Sequence, residues 1–300
     1  MSLVGVIGYP QPANVELVAA WQAAGIDAAL VAPRDALSEL AAGDVAIGRL
    51  DVLPTLDGVE AGLETLGGLE TRGVIVFNRP AALLAAHDKL LTDACLAEAG
   101  VRRPPITHVS TAAELRGQPL PLVVKPRFGS WGRDVFRCRN LDELEACLAV
   151  IAQRGWFRKD GALVQELVPS AGFDLRVIVA AGLVVGAMER VARAGEWRTN
   201  ISLGGTLRPT RLSAEAQTLS VAAAGALDAD LIGVDLLPLA DGHTVIEMNG
   251  AVEFDGRYSL PGADIYTAIA DALELVRTEP VARETPSSIA RRGVGDTFSV

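Results

Sequence analysis

Charged and amide side chains occur inside segments that otherwise read as apolar β-strands. Because side chains alternate along a strand, residues two positions apart share a face. A charge within a central strand is costly unless it is paired or bound to a metal ion, so four such segments indicate a functional site in the C-terminal half. The residues are Asp174 and Arg176 in FDLRVIV, Arg198 and Asn200 in EWRTNIS, Asp235 in IGVDLLPL, and Glu247 and Asn249 in TVIEMNG.

Three of these side chains form an oxygen-donor set. Asp235, Glu247 and Asn249 lie on two consecutive predicted strands. Carboxylate and amide oxygens are the ligands that Mg²⁺ prefers, and Mn²⁺ accepts the same donors. For any single pair the other reading stays open, that the polar side chains face solvent on a one-sided antiparallel sheet.

A glycine-containing loop follows another apolar run, in PLVVKPRFGSWGRDVF. It is not a Walker loop, because Lys125 precedes the glycines and a strand rather than a helix follows them. Its backbone N–H groups could still cover phosphates, with Lys125 on the preceding strand as a compact cation, although a plain hairpin is also compatible. Trp131 at the loop tip could cover a nucleotide, line a substrate pocket or pack against a neighbouring lobe.

Composition excludes several classes of protein. The chain has 300 residues, with 27 Lys and Arg against 37 Asp and Glu, which gives a formal charge of -10. We therefore expect no nucleic-acid or membrane partner. We also expect a cytoplasmic protein, since the first residues lack the pattern of a signal peptide. The three cysteines and three histidines show no metal-ligand or nucleophile spacing.

The order of elements predicts an α/β protein with consecutive lobes. Residues 1–80 read as an α/β lobe without the G-x-G-x-x-G of a dinucleotide site, which disfavours an oxidoreductase. The segments 81–168 and 169–280 follow as strand-rich lobes, and 281–300 reads as a tail. Specific expectations are helices over Val59–Leu66, Pro80–Gly100 and Asp264–Val276 and a strand over EWRTNISLGG.

Taken in order, these motifs resemble the ATP-grasp superfamily, and within it the RimK-type amino-acid ligases and their LysX relatives. The resemblance covers residues 78–255, and a weaker match in the first lobe includes Arg49 and Asn78. It implies a three-lobed fold with a Rossmann-like first lobe and ATP held between the central and C-terminal lobes. The motifs that carry it are DKLLTDACLAEAGV, VVKPRFGSWGRDV, LVQELV, FDLRVIV, EWRTNISLGG, GVDLLPL and VIEMNG.

The resemblance also implies a role for each matching residue. Lys89, Lys125 and the loop residues Ser130 and Trp131 would meet the nucleotide, and Asp174 would lie near the ribose. Adenine would lie at the hinge, and magnesium would bind the oxygen-donor set. Arg176 or Arg198 would stabilise the tetrahedral intermediate. The hinge residues are Gln165, Glu166, Leu167 and Val168, the residues facing phosphates and the reacting carboxylate are Arg198 and Asn200, and the metal ligands are Asp235, Glu247 and Asn249.

Ligases of this type phosphorylate a carboxylate with ATP and let an amine attack the acyl phosphate. The resemblance therefore implies an amino acid and a carboxylate-bearing small molecule, peptide or carrier protein as partners, and the protein could also form a homo-oligomer. The alternative is a regulator that binds ATP without catalysis. Where RimK proteins continue with Asn-Ala-Ser-Pro-Gly, this chain has NGAVEFDGRYS, which is closer to LysX and indicates a different substrate. LysX-like enzymes act on an acidic carrier protein, for which Arg49, Arg193, Arg208, Arg211 and Arg257 are candidate contacts.

Overall fold

The computed structural model describes residues 2–275. Its first lobe is a four-stranded parallel sheet in the order β2-β1-β3-β4. The strands are nearly continuous apolar runs, as expected for a parallel sheet that helices cover. The strands are β1 Val4–Gly8, β2 Ala28–Val31, β3 Val45–Arg49 and β4 Ile75–Phe77. The helices are α1 Pro12–Ala23, α2 Ala36–Glu39, α3 Leu63–Thr71 and α4 Pro80–His87.

The predicted helix over Val59–Leu66 is wrong in its first half. Val59 pairs with Val52 in an isolated antiparallel bridge, and α3 begins only at Leu63. Gly62 precedes the helix with a φ of 140°, a conformation that few other residues adopt, so it separates the bridge from the helix.

The single helix predicted over Pro80–Gly100 is broken at Asp88. This residue is extended, and its carboxylate accepts hydrogen bonds from the backbone N–H groups of Leu90 and Leu91, which caps a new helix, α5, at Lys89–Glu98. Aspartate favours this capping position because its oxygen satisfies N–H groups that have no partner within the helix. The break places Lys89 at the first position of α5.

The central lobe is a four-stranded antiparallel sheet in the order β5-β8-β6-β7. α7 covers this sheet by packing Leu144, Leu148 and Ile151 against buried strand residues such as Leu122 and Val124. The strands are β5 Ile106–Val109, β6 Leu122–Lys125, β7 Phe136–Cys138 and β8 Ala162–Glu166. The helices are α6 Ala112–Arg116, α7 Leu141–Ile151 and α8 Gly155–Asp160.

The C-terminal lobe is a five-stranded antiparallel sheet in the order β11-β10-β9-β12-β13. Short 3₁₀ helices cover Ile201–Leu203 and Gly256–Tyr258. The strands are β9 Phe173–Ala180, β10 Leu183–Val191, β11 Thr206–Arg208, β12 Leu231–Leu239 and β13 Gly242–Asn249. The helices are α9 Ala214–Ala226 and α10 Ile265–Ala272.

The two faces of this sheet differ in what they pack against and in their polarity. One face is apolar and packs on α9 through residues such as Val177 and Val234. On the other face, Ile178 and Met188 join the core of the first lobe, while the neighbouring positions toward one end bear charges. The alternation of side chains along β9 therefore places Asp174 and Arg176 away from α9.

The strand predicted over EWRTNISLGG is wrong. Residues 196–200 form an irregular loop that continues into the 3₁₀ helix Ile201–Leu203, and only Thr206–Arg208 pairs with β10. Gly205 packs so closely against the backbone of Thr199 that no side chain fits there, which explains why the segment folds back on itself.

The last predicted helix, Asp264–Val276, is realised as α10, with Asp264 as its cap. Val276, the end of the predicted lobe 169–280 and the predicted tail 281–300 lie outside the described residues. The boundaries of the lobes stay predictions. Within residues 2–275, no helix is both long and apolar enough to cross a membrane.

Asn78 joins the first lobe to the C-terminal sheet. Its buried side chain donates to the carbonyl of Leu231 at 2.6 Å and accepts from the N–H groups of Asp230 and Leu231 at 3.0 and 2.9 Å. Its φ of 53° lies in the left-handed region, which asparagine tolerates better than most residues. The amide thus replaces a strand partner at the start of β12.

We predict that Asn78→Ala destabilises the protein by about 2–4 kcal/mol, since buried backbone groups lose their partners. Equilibrium urea unfolding measures this change. Arg79→Ala is the matched control, because Arg79 forms an exposed ion pair with Asp228 whose loss costs at most about 1 kcal/mol. An equal loss in the two variants would contradict the role of Asn78.

Candidate functional site

A row of charged residues crosses the C-terminal sheet. Arg176 on β9 lies opposite Asp235 on β12, and Asp235 lies opposite Glu247 on β13. Arg176 donates two hydrogen bonds of 2.9 Å to Asp235, from Nε to Oδ1 and from Nη2 to Oδ2. The structure therefore brings together three of the charged residues that the sequence places within apolar strands.

A β-bulge adjusts this row. Asp235 pairs with Glu247 and Leu236 pairs with Val245, so Ile246 is an extra residue on β13. A bulge of this kind redirects side chains and is common beside active sites. Here it turns Ile246 toward a cavity while Val245 and Leu236 remain in the core on α9.

Arg190 is the central cation of the site, and the sequence analysis did not single it out. It donates to both oxygens of Asp174, at 2.8 and 2.5 Å, and to Asp235 Oδ2 at 2.7 Å. Thr199 donates a further hydrogen bond to Asp174 at 2.6 Å. The signal was present, because Arg190 is a charge within the otherwise apolar segment LVVGAMERVA.

The ion pairs with Arg176 and Arg190 keep Asp235 in its charged form. Burial raises the pKa of the Asp235 carboxyl, but the attraction of Arg176 and Arg190 outweighs burial and lowers that pKa to about 2. Asp235 and Arg190 are almost inaccessible to solvent. The carboxylate is therefore ionised at neutral pH, and its arginine partners hold it in one position.

Lys89 connects the sheet to the glycine loop. Its ammonium group contacts Glu247 Oε1 at 2.8 Å and donates to the carbonyl of Gly129 at 2.7 Å. Its position follows from the cap at Asp88, which starts α5 at this residue. One lysine thus orients a predicted metal ligand and the loop above it.

The segment 196–203 fixes the position of the glycine loop through hydrogen bonds to its backbone. Arg198 donates to the carbonyl of Gly132 at 2.9 Å, and Ser202 donates to the carbonyl of Trp131 at 3.0 Å. Gly132 has a φ of 68°, and a Cβ there would collide with Asn200. Arg198 also forms an ion pair with Glu196 of its own loop, which helps to orient the guanidinium group that contacts Gly132.

One cavity, of about 140 Å³, lies between the central and C-terminal lobes. Lys125 lies in its wall and donates to Gln165 Oε1 at 3.0 Å, and burial and the nearby Lys89 lower its pKa to about 8. Asp174 also lines this cavity, but its oxygens are already engaged by Arg190 and Thr199. The residues predicted to contact ATP that line this cavity are Lys89, Lys125, Ser130, Gln165, Glu166, Leu167, Val168, Asp174, Arg198 and Asn200.

A second cavity, of about 210 Å³, adjoins the first on the side of the first lobe. Trp131 lines this cavity, and its indole N–H lies 3.4 Å from an oxygen of Asp51 in the first lobe. Among the open alternatives for Trp131, the structure thus places it in the wall of a substrate-sized cavity and in contact with the neighbouring lobe. Arg176 and Asn249 also line this second cavity.

Four residues line both cavities: Ser130, Arg190, Asn200 and Glu247. They come from the glycine loop, from β10, from the segment 196–203 and from β13. A group bound in one cavity can therefore reach a group bound in the other across these side chains.

Of the predicted metal ligands, Glu247 lines both cavities and Asn249 lines the second. Asp235 is fully buried, lines neither cavity and has both oxygens bound by Arg176 and Arg190. All three carry the oxygen donors that hard divalent cations prefer. Glu247 presents its carboxylate to both cavities, and Asn249 lies 3.4 Å from Asp235. Within residues 2–275 no group of three or more His, Cys, Asp or Glu side chains could hold a metal ion. A magnesium ion would therefore need the Asn249 oxygen and phosphate oxygens besides the two carboxylates.

Comparison with known proteins decides the family. Residues 86–273 match the model of the RimK-like ATP-grasp domain. The chain belongs to the RimK-like ATP-grasp family. A relative from Thioalkalivibrio sulfidiphilus, named as a probable alpha-L-glutamate ligase, is 33% identical over 221 residues, which are 71% of each chain.

Solved structures agree with this RimK-like assignment at the level of fold. An ATP-grasp protein with a RimK domain from Sphaerobacter thermophilus has a TM-score of 0.68 at 21% identity, over 91% of this chain and 99% of that one. A D-alanine–D-alanine ligase from Bacillus anthracis has a TM-score of 0.63 at 17% identity, over 92% and 96%. The predicted family and the predicted ATP-grasp fold are confirmed, and the roles of individual site residues stay predictions.

We predict that Arg190→Met destabilises this RimK-like protein by about 3–5 kcal/mol at pH 7, because two buried carboxylates lose their shared cation. Urea unfolding measures the loss. Arg257→Met is the control, since Arg257 pairs with Asp255 near the surface and its loss costs at most about 1 kcal/mol.

The loss should also depend on pH. The pKa of Asp235 in the folded protein lies below its ordinary value, so its ion pairs stabilise the fold above about pH 4 and cease to do so as pH falls toward 2. The difference between wild type and Arg190→Met should therefore shrink over that range. A difference that stays constant from pH 7 to pH 3 would argue against the network.

Proposed function

We propose that this RimK-like ATP-grasp protein is an ATP-dependent, ADP-forming ligase that joins a carboxylate to the amine of an amino acid. The observation that carries the proposal is the pair of adjoining cavities with a shared boundary at Ser130, Arg190, Asn200 and Glu247. ATP would occupy the first cavity, and the carboxylate substrate would occupy the second. Transfer of the γ-phosphate requires this proximity of two bound substrates.

In the nucleotide half, the hinge segment Gln165–Val168 would contact adenine, and Lys89 and Lys125 would contact phosphates. The contacts of both lysines support these roles. Lys89 reaches both Glu247 and the glycine loop, and Lys125 is buried within the cavity wall. A buried cation of this kind gains a favourable partner when phosphate oxygens arrive.

Asp235, Glu247 and Asn249 would hold magnesium, which supplies charge neutralisation for the phosphates when it is bound. Asp235 would have to give up a hydrogen bond to Arg176 or Arg190 to take part. Arg176 and Arg190 bind Asp235 in the structure, and they keep its carboxylate ionised and fixed in orientation. Glu247 is the more accessible carboxylate, since it faces both cavities.

The reaction itself needs cations rather than a nucleophilic side chain. An oxygen of the substrate carboxylate attacks the γ-phosphorus, and the bond between that phosphorus and the bridging oxygen to the β-phosphate breaks. ADP departs with the bridging oxygen, and the substrate becomes an acyl phosphate. The amine then attacks the acyl carbon, loses a proton and expels inorganic phosphate. Arg176 lines the second cavity and Arg198 lines only the first, so we assign stabilisation of the tetrahedral intermediate to Arg176 and positioning of the glycine loop to Arg198.

The relatives' names support an amino acid as one substrate, because they are called probable alpha-L-glutamate ligases. We also propose a cytoplasmic location, and a homo-oligomer stays a prediction.

An acidic carrier protein would need a basic surface to bind to, and the candidate arginines provide little of one. Arg49 is fully buried, and Arg208 and Arg257 are paired with Glu189 and Asp255.

We predict that affinity for a non-hydrolysable ATP analogue falls above pH 8. Burial and Lys89 lower the pKa of Lys125 to about 8, so above that pH nucleotide binding must take up a proton at Lys125. The dissociation constant should rise by up to about tenfold per pH unit. Calorimetric titration from pH 7 to pH 10 measures it.

The control for this experiment is Lys125→Met, which removes the titrating group but keeps much of the side-chain volume. It should bind the analogue more weakly at pH 7 and show a flatter pH profile. Parallel profiles in the two proteins would show that Lys125 does not meet the phosphates.

We predict that Glu247→Gln lowers turnover by about 100-fold or more, because the site loses a carboxylate that faces the reacting phosphate. The assay is phosphate release from Mg-ATP with pairs of amino acids and with peptides, and mass spectrometry identifies the amide. Thermal unfolding checks that the variant folds. Release that needs neither an amine nor a carboxylate, or wild-type turnover in the variant, would contradict the proposal and favour a regulator that only binds ATP.

A further inference from the structure

The second cavity contains carboxylates without a cationic partner. Glu16, Asp51 and Glu253 all line it, and no ion pair involves any of the three within residues 2–275. Asp51 is buried, and its side-chain oxygens accept from the backbone N–H of Val52 at 2.6 Å and from the Trp131 indole at 3.4 Å. Both donors are neutral, so the negative charge of Asp51 is left uncompensated by them.

The cations of the same cavity are already engaged. Arg176 and Arg190 are bound to the carboxylates of the buried network. Arg257 makes hydrogen bonds of 2.9 and 2.6 Å to the two oxygens of Asp255. A carboxylate on the substrate's side chain would therefore have to displace an internal partner, whereas a cation on that side chain would find carboxylate oxygens that have no cationic partner.

Two further polar groups in the wall lack partners. His87 is buried, lines the cavity and has no hydrogen-bond partner at Nε2. Burial lowers its pKa to about 4, so the imidazole is neutral at pH 7 and does not offset Asp51. Glu253 Oε1 is likewise buried without a hydrogen bond. Each of these two atoms is available for a hydrogen bond to a bound group or to water.

Arg49 is the nearby cation that has to be weighed against this reading. It is fully buried, donates to Asn14 and to the carbonyl of Val252, and attracts both Glu253 and Asp51. It does not line the cavity. One arginine thus stands near two carboxylates, and Glu16 at the rim adds a third negative charge.

We propose that Asp51 and Glu253 bind the side-chain ammonium or guanidinium group of the substrate, so that this enzyme takes a cationic amino acid rather than glutamate. The inference rests on the proposed ligase function, because it names the substrate of the second cavity. A glutamate side chain would bring its carboxylate toward Asp51 and Glu253, and like charges in a partly buried site repel strongly. A lysine-like or arginine-like side chain would instead give both carboxylates a hydrogen-bonded partner.

The test compares lysine with its uncharged analogue norleucine and with glutamate. Each is titrated by calorimetry into the full-length protein saturated with magnesium and a non-hydrolysable ATP analogue, so binding is measured without turnover. Lysine should bind at least about tenfold more tightly than norleucine, and glutamate more weakly than either. Glutamate that binds as well as lysine would overturn the inference without any need for a variant.

Variants assign the preference to the residues named. Asp51→Asn and Glu253→Gln should each reduce the ratio of lysine to norleucine affinity by about tenfold, while Asp51→Glu should retain part of it. Glu70→Gln is the matched control, since it removes the same charge from an exposed position of α3 outside the cavity. An unchanged ratio in both cavity variants would reject the assignment.

Phosphate release with the same amino acids separates the two proposals. Amide formation with glutamate but not lysine would keep the ligase and overturn the cationic substrate. Lysine binding that depends on Asp51 without amide formation from any pair would overturn the ligase and keep the cation site. Amide formation that prefers lysine, and loses that preference in Asp51→Asn, would support both.

Discussion

The buried network of Arg190, Asp174, Asp235 and Arg176 is the interaction on which the site depends. It links three adjacent strands of the C-terminal sheet through side chains rather than through the backbone. Each member would be costly to bury alone, and each is acceptable because its partners are present. Removing water from these charges also makes their positions definite, which is the property that a phosphate-transfer site requires.

Around this network the other lobes contribute one element each. The central lobe supplies the glycine loop, which Lys89 and Arg198 hold against the C-terminal sheet. The first lobe supplies Asp51, which meets the indole of Trp131 at the tip of that loop. The first cavity needs only the central and C-terminal lobes, whereas the second also needs the first lobe. Asn78 fixes the junction between the first lobe and the C-terminal sheet.

The sequence predicts those parts of the site that depend on local pattern. Charges within apolar strands single out Arg176, Asp235 and Glu247, and the resemblance to a known family places their motifs in order. That the three form one row depends on strand order and register, which the sequence pattern does not give. The helical pattern over Pro80–Gly100 does not predict the break at Asp88. An aspartate within such a pattern can either continue the helix or cap a new one, and the pattern alone does not decide between the two. The loop 196–203 was misread as a strand, since its polar alternation arises from contacts with the glycine loop rather than from a sheet. Asp51 and His87 could not be found, because tertiary packing alone brings them to the cavity.

The wall of the second cavity is divided between the matched family domain and the part of the chain that precedes it. The matched family domain covers residues 86–273, so it contains the charged network and both lysines, whereas Glu16 and Asp51 precede it. Substitutions in the first lobe can therefore alter which molecule is selected while leaving the phosphate-handling groups intact. Glu253 lies within the matched domain, so the proposed pair of Asp51 and Glu253 joins the first lobe to the domain that carries the charged network.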